Sequence, residues 1–188
     1  MKKYILYAGV NGAGKSTLYR TTHYQGTMPR INTDEILREF GDWRNTADLM
    51  KAGRIAIERL NSYLQEGITF NQETTLYGLT ILRTIHRAKQ LGYGIELHYV
   101  GVDSPEIAKQ RIAERVKMGG HGIPDRDVEK RFGESFRNLH EVIGLCDLAA
   151  LYDNTNEFRR FAIYKCGEIV RLSKNTPEWY LKWRKGYY

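Results

Sequence analysis

The chain has 188 residues, 41% of them apolar, with thirteen Tyr and a formal net charge of +7. A length of this order suits one domain with a substantial core, and the composition excludes a disordered chain. The positive balance favours anionic ligands: nucleotides, phosphorylated metabolites, an acidic protein or nucleic acid.

The charge is spread along the chain, with clusters only at Arg111–Arg137 and Lys182–Lys185, so a dedicated nucleic-acid stripe is not indicated. No segment approaches the length of a membrane span. The apolar run after Met1-Lys2-Lys3 ends at Gly9, too short for a signal-peptide core, and a soluble cytoplasmic protein is expected. Cys146 and Cys166 have apolar neighbours and no C-x-x-C spacing, which reads as two buried free thiols.

In chain order the elements alternate. Tyr4–Ala8 reads as a buried strand and Gly14–Thr22 as a helix. Arg30–Asn32 is a short strand, after which Thr33 is placed to cap a helix over Asp34–Phe40. Ala47–Gln65 carries apolar residues at helical period and is stopped by Gly67. Ile68–Gln72 is a third strand ending at Glu73, Leu79–Leu91 a helix closed by Gly92, and Ile95–Val102 a strongly apolar strand. Ser104-Pro105-Glu106 opens a helix with an N-cap and Pro at its first position, running to about Met118. A glycine-rich break at 119–124 precedes a second helix over about Asp125–Leu145. Asp147–Tyr152 is a fifth strand. Phe161–Lys165 and Glu168–Leu172 form a hairpin through Cys166-Gly167, and Pro177–Arg184 is a short aromatic-basic helix. Such alternation predicts an α/β fold with a mostly parallel five-stranded sheet flanked by helices, and with ligands at the carboxyl ends of the strands.

The chemistry concentrates where the first strand ends. Gly9-Val10-Asn11-Gly12-Ala13-Gly14-Lys15-Ser16 spells G-x-x-x-x-G-K-S between a strand and a helix, the context that makes this pattern a P-loop. Gly9, Asn11, Gly12, Ala13, Gly14, Lys15, Ser16 and Thr17 are the candidate ATP-binding residues. Their backbone N–H groups cradle phosphate, Lys15 reaches the β- and γ-phosphates, and the Ser16 hydroxyl is the candidate Mg²⁺ ligand.

Three further clusters bear on what receives the phosphate. Asp34 follows the second strand, beside where a γ-phosphate sits, and is the candidate base for an acceptor hydroxyl. Its alternative task is to place negative charge at a helix N-terminus. Glu73 ends an apolar strand at a Walker-B position, suited to holding Mg²⁺ through its water shell or to binding substrate, with Thr74 and Thr75 adding hydroxyl donors. Asp103 is better explained as a helix-entry residue. Arg111 and Arg115 share a helix face, and Arg126, Arg131 and Arg137 follow the glycine break. Helix–glycine loop–helix with arginines at both ends is how a kinase lid is built, with guanidinium groups closing on phosphates; Arg126 and Arg131 are the catalytic candidates. His121, between glycines, is placed for phosphate or substrate contact. No histidine spacing suggests a metal centre, and no triad is present.

Gly9–Ser16, Asn32-Thr33-Asp34, Glu73-Thr74-Thr75 and Arg115-x-x-x-Gly119-Gly120-His121-x-Ile123-Pro124 together resemble the zeta-toxin family. The match continues through Val128-x-x-Arg131-Phe132 and Asn138-Leu139 and ends near Tyr152-Asp153-Asn154, covering about the first 155 residues. The resemblance implies an ATP-dependent kinase that phosphorylates a hydroxyl of UDP-N-acetylglucosamine, with a small antitoxin blocking the nucleotide site. It implies that Lys15 and Ser16 hold nucleotide and Mg²⁺, that Asp34 is the base and that Glu73 helps hold the sugar. His121 occupies what the family uses as a lid arginine position. The expectation is one P-loop kinase domain over residues 1–188, with a lid at about 111–137 and a C-terminal extension from about 156. Two other readings stay open: a polynucleotide kinase, favoured by Trp179, Trp183 and neighbouring lysines, and a regulatory ATPase with no small-molecule acceptor.

Overall fold

Tyr4, Ile5, Leu6, Tyr7 and Ala8 are all fully buried, so the strand that carries them, β1 (Lys3–Gly9), needs cover on both faces. The computed structural model, which describes residues 1–22 and 24–188, provides it by placing β1 third in a seven-stranded sheet. The other strands are β2 (Arg30–Ile31), β3 (Phe70–Thr74), β4 (Gly94–Gly101), β5 (Leu148–Asp153), β6 (Arg159–Lys165) and β7 (Glu168–Leu172). Their order is β2-β3-β1-β4-β5-β6-β7. The first five run parallel, as the alternation predicts. The hairpin β6–β7 does not stand apart from this sheet: β6 pairs antiparallel with β5 and extends it.

The helices are α1 (Lys15–Thr21), α2 (Thr33–Arg38), α3 (Thr46–Glu66), α4 (Leu79–Gln90), α5 (Pro105–Lys117), α6 (Asp125–Leu145) and α7 (Glu178–Arg184). None of the described helices is long and apolar enough to cross a membrane. The bounds of α6 are those expected; most others move by one or two residues. Three expectations are corrected. Thr33 is inside α2, and the cap is Asn32, whose side chain accepts from Asp34 N at 2.9 Å and Glu35 N at 3.4 Å. Glu73 lies within β3 rather than after it. Cys146 is buried, its thiol pushed up to about 12 by burial, but Cys166 is exposed. Cys166 (φ 49) and Gly167 (φ 83) are both left-handed, the geometry of a two-residue hairpin turn, which projects the Cys side chain away from the core.

The aromatic-basic tail packs on the core, one of the two arrangements that indole rings beside lysines suit. Trp179, Tyr180 and Trp183 are core residues, not a platform for stacking bases. The Trp179 indole (0% exposed) lies against Gly101, where a Cβ would sit 2.4 Å from the ring, and packs with Phe136 and Phe161. Trp183 Nε1 donates to Phe136 O at 3.0 Å. Glu178, Leu181, Lys182 and Arg184 are the residues of α7 that face water.

One buried ionic cluster lies within the sheet, on β4. Glu96 accepts from Lys3 Nζ at 3.1 Å and lies 2.9 Å from His98 Nε2. Burial alone pushes the Glu96 carboxyl up; hydrogen bonds from His98 and Lys3 outweigh it and hold the group at about 2, against an ordinary value of 4.5. A depressed folded-state value means this contribution is present above 4.5 and is lost as pH falls towards 2. It amounts to about 3 kcal/mol if the chain alone sets the reference. Glu96→Gln is therefore expected to lower stability at pH 7 and to flatten the loss between pH 4.5 and 2, measured by urea unfolding at a series of pH values. An equally steep acid limb in the variant would assign the loss to other carboxylates.

Candidate functional site

The carboxyl ends of β1, β2 and β3 converge on one region, and the loop after β1 is shaped by its glycines. Gly9 has φ +135, and a Cβ there would lie 2.1 Å from Val100 O; Gly12 (φ +75) is as close-set against Ala108 O at 2.6 Å. Gly14, left-handed at φ 105, leads into α1. Asn154 Nδ2 donates to Ala13 O at 2.8 Å, so this side chain braces the loop from just beyond β5. Lys15 is buried, and its Nζ donates to Val10 O at 3.0 Å. Burial lowers the Lys15 pKa, opposed by the charges of Glu73 and Asp34.

Ser16 Oγ donates to both Glu73 oxygens, at 2.9 and 3.0 Å. Glu73 Oε2 also accepts from Arg30 Nη2 at 2.6 Å and Asn32 Nδ2 at 3.1 Å. A serine hydroxyl and a fixed carboxylate, next to a phosphate loop, are the donor set that suits a hard octahedral ion keeping several waters. The residues present therefore fit Mg²⁺ arriving with a nucleotide.

Two clefts open here. The first, about 480 Å³, runs along the P-loop between Gly12, Gly14, Lys15, Ser16 and Thr17 on one side and Arg111 and Arg115 of α5 on the other. Arg111 Nη1 and Arg115 Nε and Nη2 are buried without hydrogen-bond partners. Unpaired buried donors on cations are costly, and an anionic ligand in this cleft would offset that cost. The second cleft, about 810 Å³, is lined by Thr33, Trp43, Thr74, Thr75, His121 and Arg131 among others, a size ordinary for small-molecule sites. Asn11 lines the second cleft, and Gly9 and Ala13 shape the loop from behind without lining either. Four residues line both clefts: Lys15, Asn32, Asp34 and Glu73.

At that junction Asp34 Oδ1 lies 3.6 Å from His121 Nε2. Burial lowers the His121 pKa, only partly opposed by Asp34, so near neutral pH the ring is uncharged. Trp43 packs against the glycine-rich loop before α6: a Cβ on Gly122 would fall 2.5 Å from its ring, and His121 stacks obliquely on it at 5.7 Å.

Most predicted site residues are thus brought together, and one is not. Arg126 projects into solvent, its side chain 88% exposed, with only Asp127 beside it at 3.9 Å. It is the second residue of α6 and faces away from both clefts, whereas Arg131, more than a turn further on, faces inward. Sequence reasoning gave Arg111 and Arg115 a shared face and a part in a phosphate-closing lid, but named Arg126 and Arg131 as the catalytic pair. It missed Arg30 and Trp43 altogether. Arg30 reaches Glu73 only because β2 pairs with β3 in the register Arg30↔Asn71, which no local pattern announces.

The AAA domain family matches residues 5–138. An uncharacterized protein of Haemophilus influenzae is 35% identical over 130 residues, covering 69% of this chain and 92% of that relative. Among solved structures, the chain superposes on a chain of the AvrRxo1-ORF1:-ORF2 complex with ATP at a TM-score of 0.72 and 15% identity, over 98% of its own length. It spans only 63% of that larger chain. A second likeness is to the PezAT chromosomal toxin-antitoxin system of Streptococcus pneumoniae, with a TM-score of 0.61 and 20% identity over 84% of this chain and 71% of that one. At these identities the structural likeness is one of fold. The family match spans most of the chain and includes the P-loop: this protein belongs to the AAA domain family and has the α/β P-loop NTPase fold.

Proposed function

We propose that this protein is an ATP-dependent kinase of zeta-toxin type, with residues 1–188 acting as one kinase domain that transfers the γ-phosphate to a hydroxyl of a small-molecule acceptor. The observation that carries this reading is the pair of clefts meeting at Lys15, Asp34 and Glu73. A hydrolase or switch needs the first cleft only; a second cleft with a carboxylate at the junction is what a transferase needs.

In this reading the triphosphate lies along the P-loop with Arg111 and Arg115 on its far side. The acceptor occupies the second cleft, where Thr74, Thr75 and His121 offer hydrogen bonds to a polyol such as the sugar of a nucleotide sugar. The acceptor oxygen forms a bond to the γ-phosphorus while the bond from that phosphorus to the β,γ-bridging oxygen breaks. The hydroxyl proton passes to Asp34, and ADP leaves. Lys15, Arg115 and Arg131 hold the charge that shifts towards the leaving oxygen. When bound, Mg²⁺ supplies charge compensation on the β- and γ-phosphates. The likeness to a toxin-antitoxin system supports a further element of the proposal, a small antitoxin protein that covers the nucleotide cleft.

The test is incubation of the purified protein with γ-labelled ATP, Mg²⁺ and a pool of nucleotide sugars that includes UDP-N-acetylglucosamine. Label is expected in a sugar nucleotide. Free phosphate as the sole product, formed equally with and without the pool, would move the assignment to a regulatory ATPase.

A further inference from the structure

Arg30 has no task in the mechanism above, yet it is the most fully engaged side chain near the site. Its Nε donates to both Glu35 oxygens at 3.1 and 3.2 Å, its Nη1 to Asn71 Oδ1 at 3.0 Å and its Nη2 to Glu73 Oε2 at 2.6 Å. The guanidinium lies 3.7 Å from the centroid of the Tyr19 ring. All three nitrogens are therefore committed, and the plane is fixed from one face.

The consequence falls on Glu73. Its two oxygens accept from a serine hydroxyl, an asparagine amide and a guanidinium, and its charge is compensated at 2.6 Å. A divalent ion approaching the nucleotide-free site meets a carboxylate already neutralised by a cation that cannot rotate away. Among the described residues no group of three or more His, Cys, Asp or Glu is placed to hold an ion unaided. The Ser16 hydroxyl, by contrast, gives its proton to Glu73 and keeps lone pairs for a metal. We infer that Arg30 is a positioning residue that reserves Glu73 for indirect, water-mediated support of the metal, so that the ion enters only with the phosphate oxygens of the nucleotide. The inference rests on the nucleotide-binding half of the proposed function and is independent of which hydroxyl receives the phosphate.

Removing the Arg30 charge should then release Glu73 to bind an ion directly. The experiment is titration of nucleotide-free protein with Mn²⁺, read as free Mn²⁺ by electron paramagnetic resonance, for wild type, Arg30→Gln, Arg30→Lys and Arg30→Gln combined with Glu73→Gln. Wild type and Arg30→Lys are expected to bind negligibly below about 1 mM, because a cation remains beside Glu73 in both. Arg30→Gln is expected to bind at least about tenfold more tightly, since a unit charge a few ångströms from a divalent ion is removed; the double variant loses that gain. Folded Arg30→Gln protein that binds Mn²⁺ no better than wild type would overturn the inference, as would a gain that survives Glu73→Gln. If Arg30→Gln does not fold, wild type still decides: tight Mn²⁺ binding without nucleotide refutes the inference, and binding that appears only with ADP supports it. Failure of the labelled-ATP experiment alongside this Mn²⁺ pattern would remove the kinase reading and leave the role of Arg30 standing.

Discussion

Asp34→Asn is expected to slow phosphoryl transfer by about 10²–10⁴-fold, the usual range for losing a general base, while ATP affinity changes by less than about threefold. The side chain keeps its size. The helix it sits on keeps its cap as well, because Asn32 and not Asp34 satisfies the first amides of α2. Loss of one negative charge from a helix N-terminus costs about 0.5 kcal/mol, too little to unsettle the site. Single-turnover label transfer measures the first quantity and calorimetric titration with ATP the second. A variant that transfers normally would return Asp34 to its bland role as a favourable charge at the helix start. A variant that loses ATP affinity tenfold would place it in the nucleotide cleft alone.

The second large effect is expected at Arg115, and it has two parts of different sign. In the presence of substrates Arg115→Ala should lower transfer by about 10³-fold, the scale reported for a guanidinium that stabilises a transferring phosphoryl group. In the absence of nucleotide the same substitution should leave the melting temperature unchanged or raise it. The reason is that Nε and Nη2 of Arg115 are buried and unpaired, so the free protein bears their desolvation without return. The two predictions meet in one measurement, the rise in melting temperature on adding ATP and Mg²⁺, which the variant should largely lose. A variant markedly less stable than wild type without ligand would show instead that Arg115 is a structural residue of the lid. Gly120, whose absent Cβ would meet the Arg115 side chain at 2.5 Å, would then be packing against a strut.

The elements and the centre of the site were legible because both depend on short-range rules. A P-loop is eight consecutive residues, and its requirements are local: glycines where φ is positive, a lysine at the helix start, a serine beside it. The parallel sheet followed from alternating buried strands and amphipathic helices. Asp34 and Glu73 were found because strand ends in such a sheet point the same way. The missed features depend on phase or register instead. Thr33 and Asn32 are both good caps, and which one begins the helix turns on a single residue's dihedral. Arg126 and Arg131 sit on one helix, and only its rotation decides which lines the cleft. The tail offered indole rings beside lysines, a pattern that suits either stacking on bases or packing on a core.

By itself, then, the order of residues determined that a phosphate-binding loop stands at the head of an α/β chain, with carboxylates near the ends of the second and third strands and arginines on both sides of a glycine-rich loop. Tertiary structure decided which charges meet. It turned Arg115 and Arg131 inward and Arg126 outward, buried Trp179 against Gly101, and used the register of β2 on β3 to lock Arg30 onto Glu73. The physical reason is one of range. Backbone conformation and burial period are set by neighbours within a few residues. The partner of a charge is set by sheet pairing and helix rotation, which are fixed only when the whole core packs.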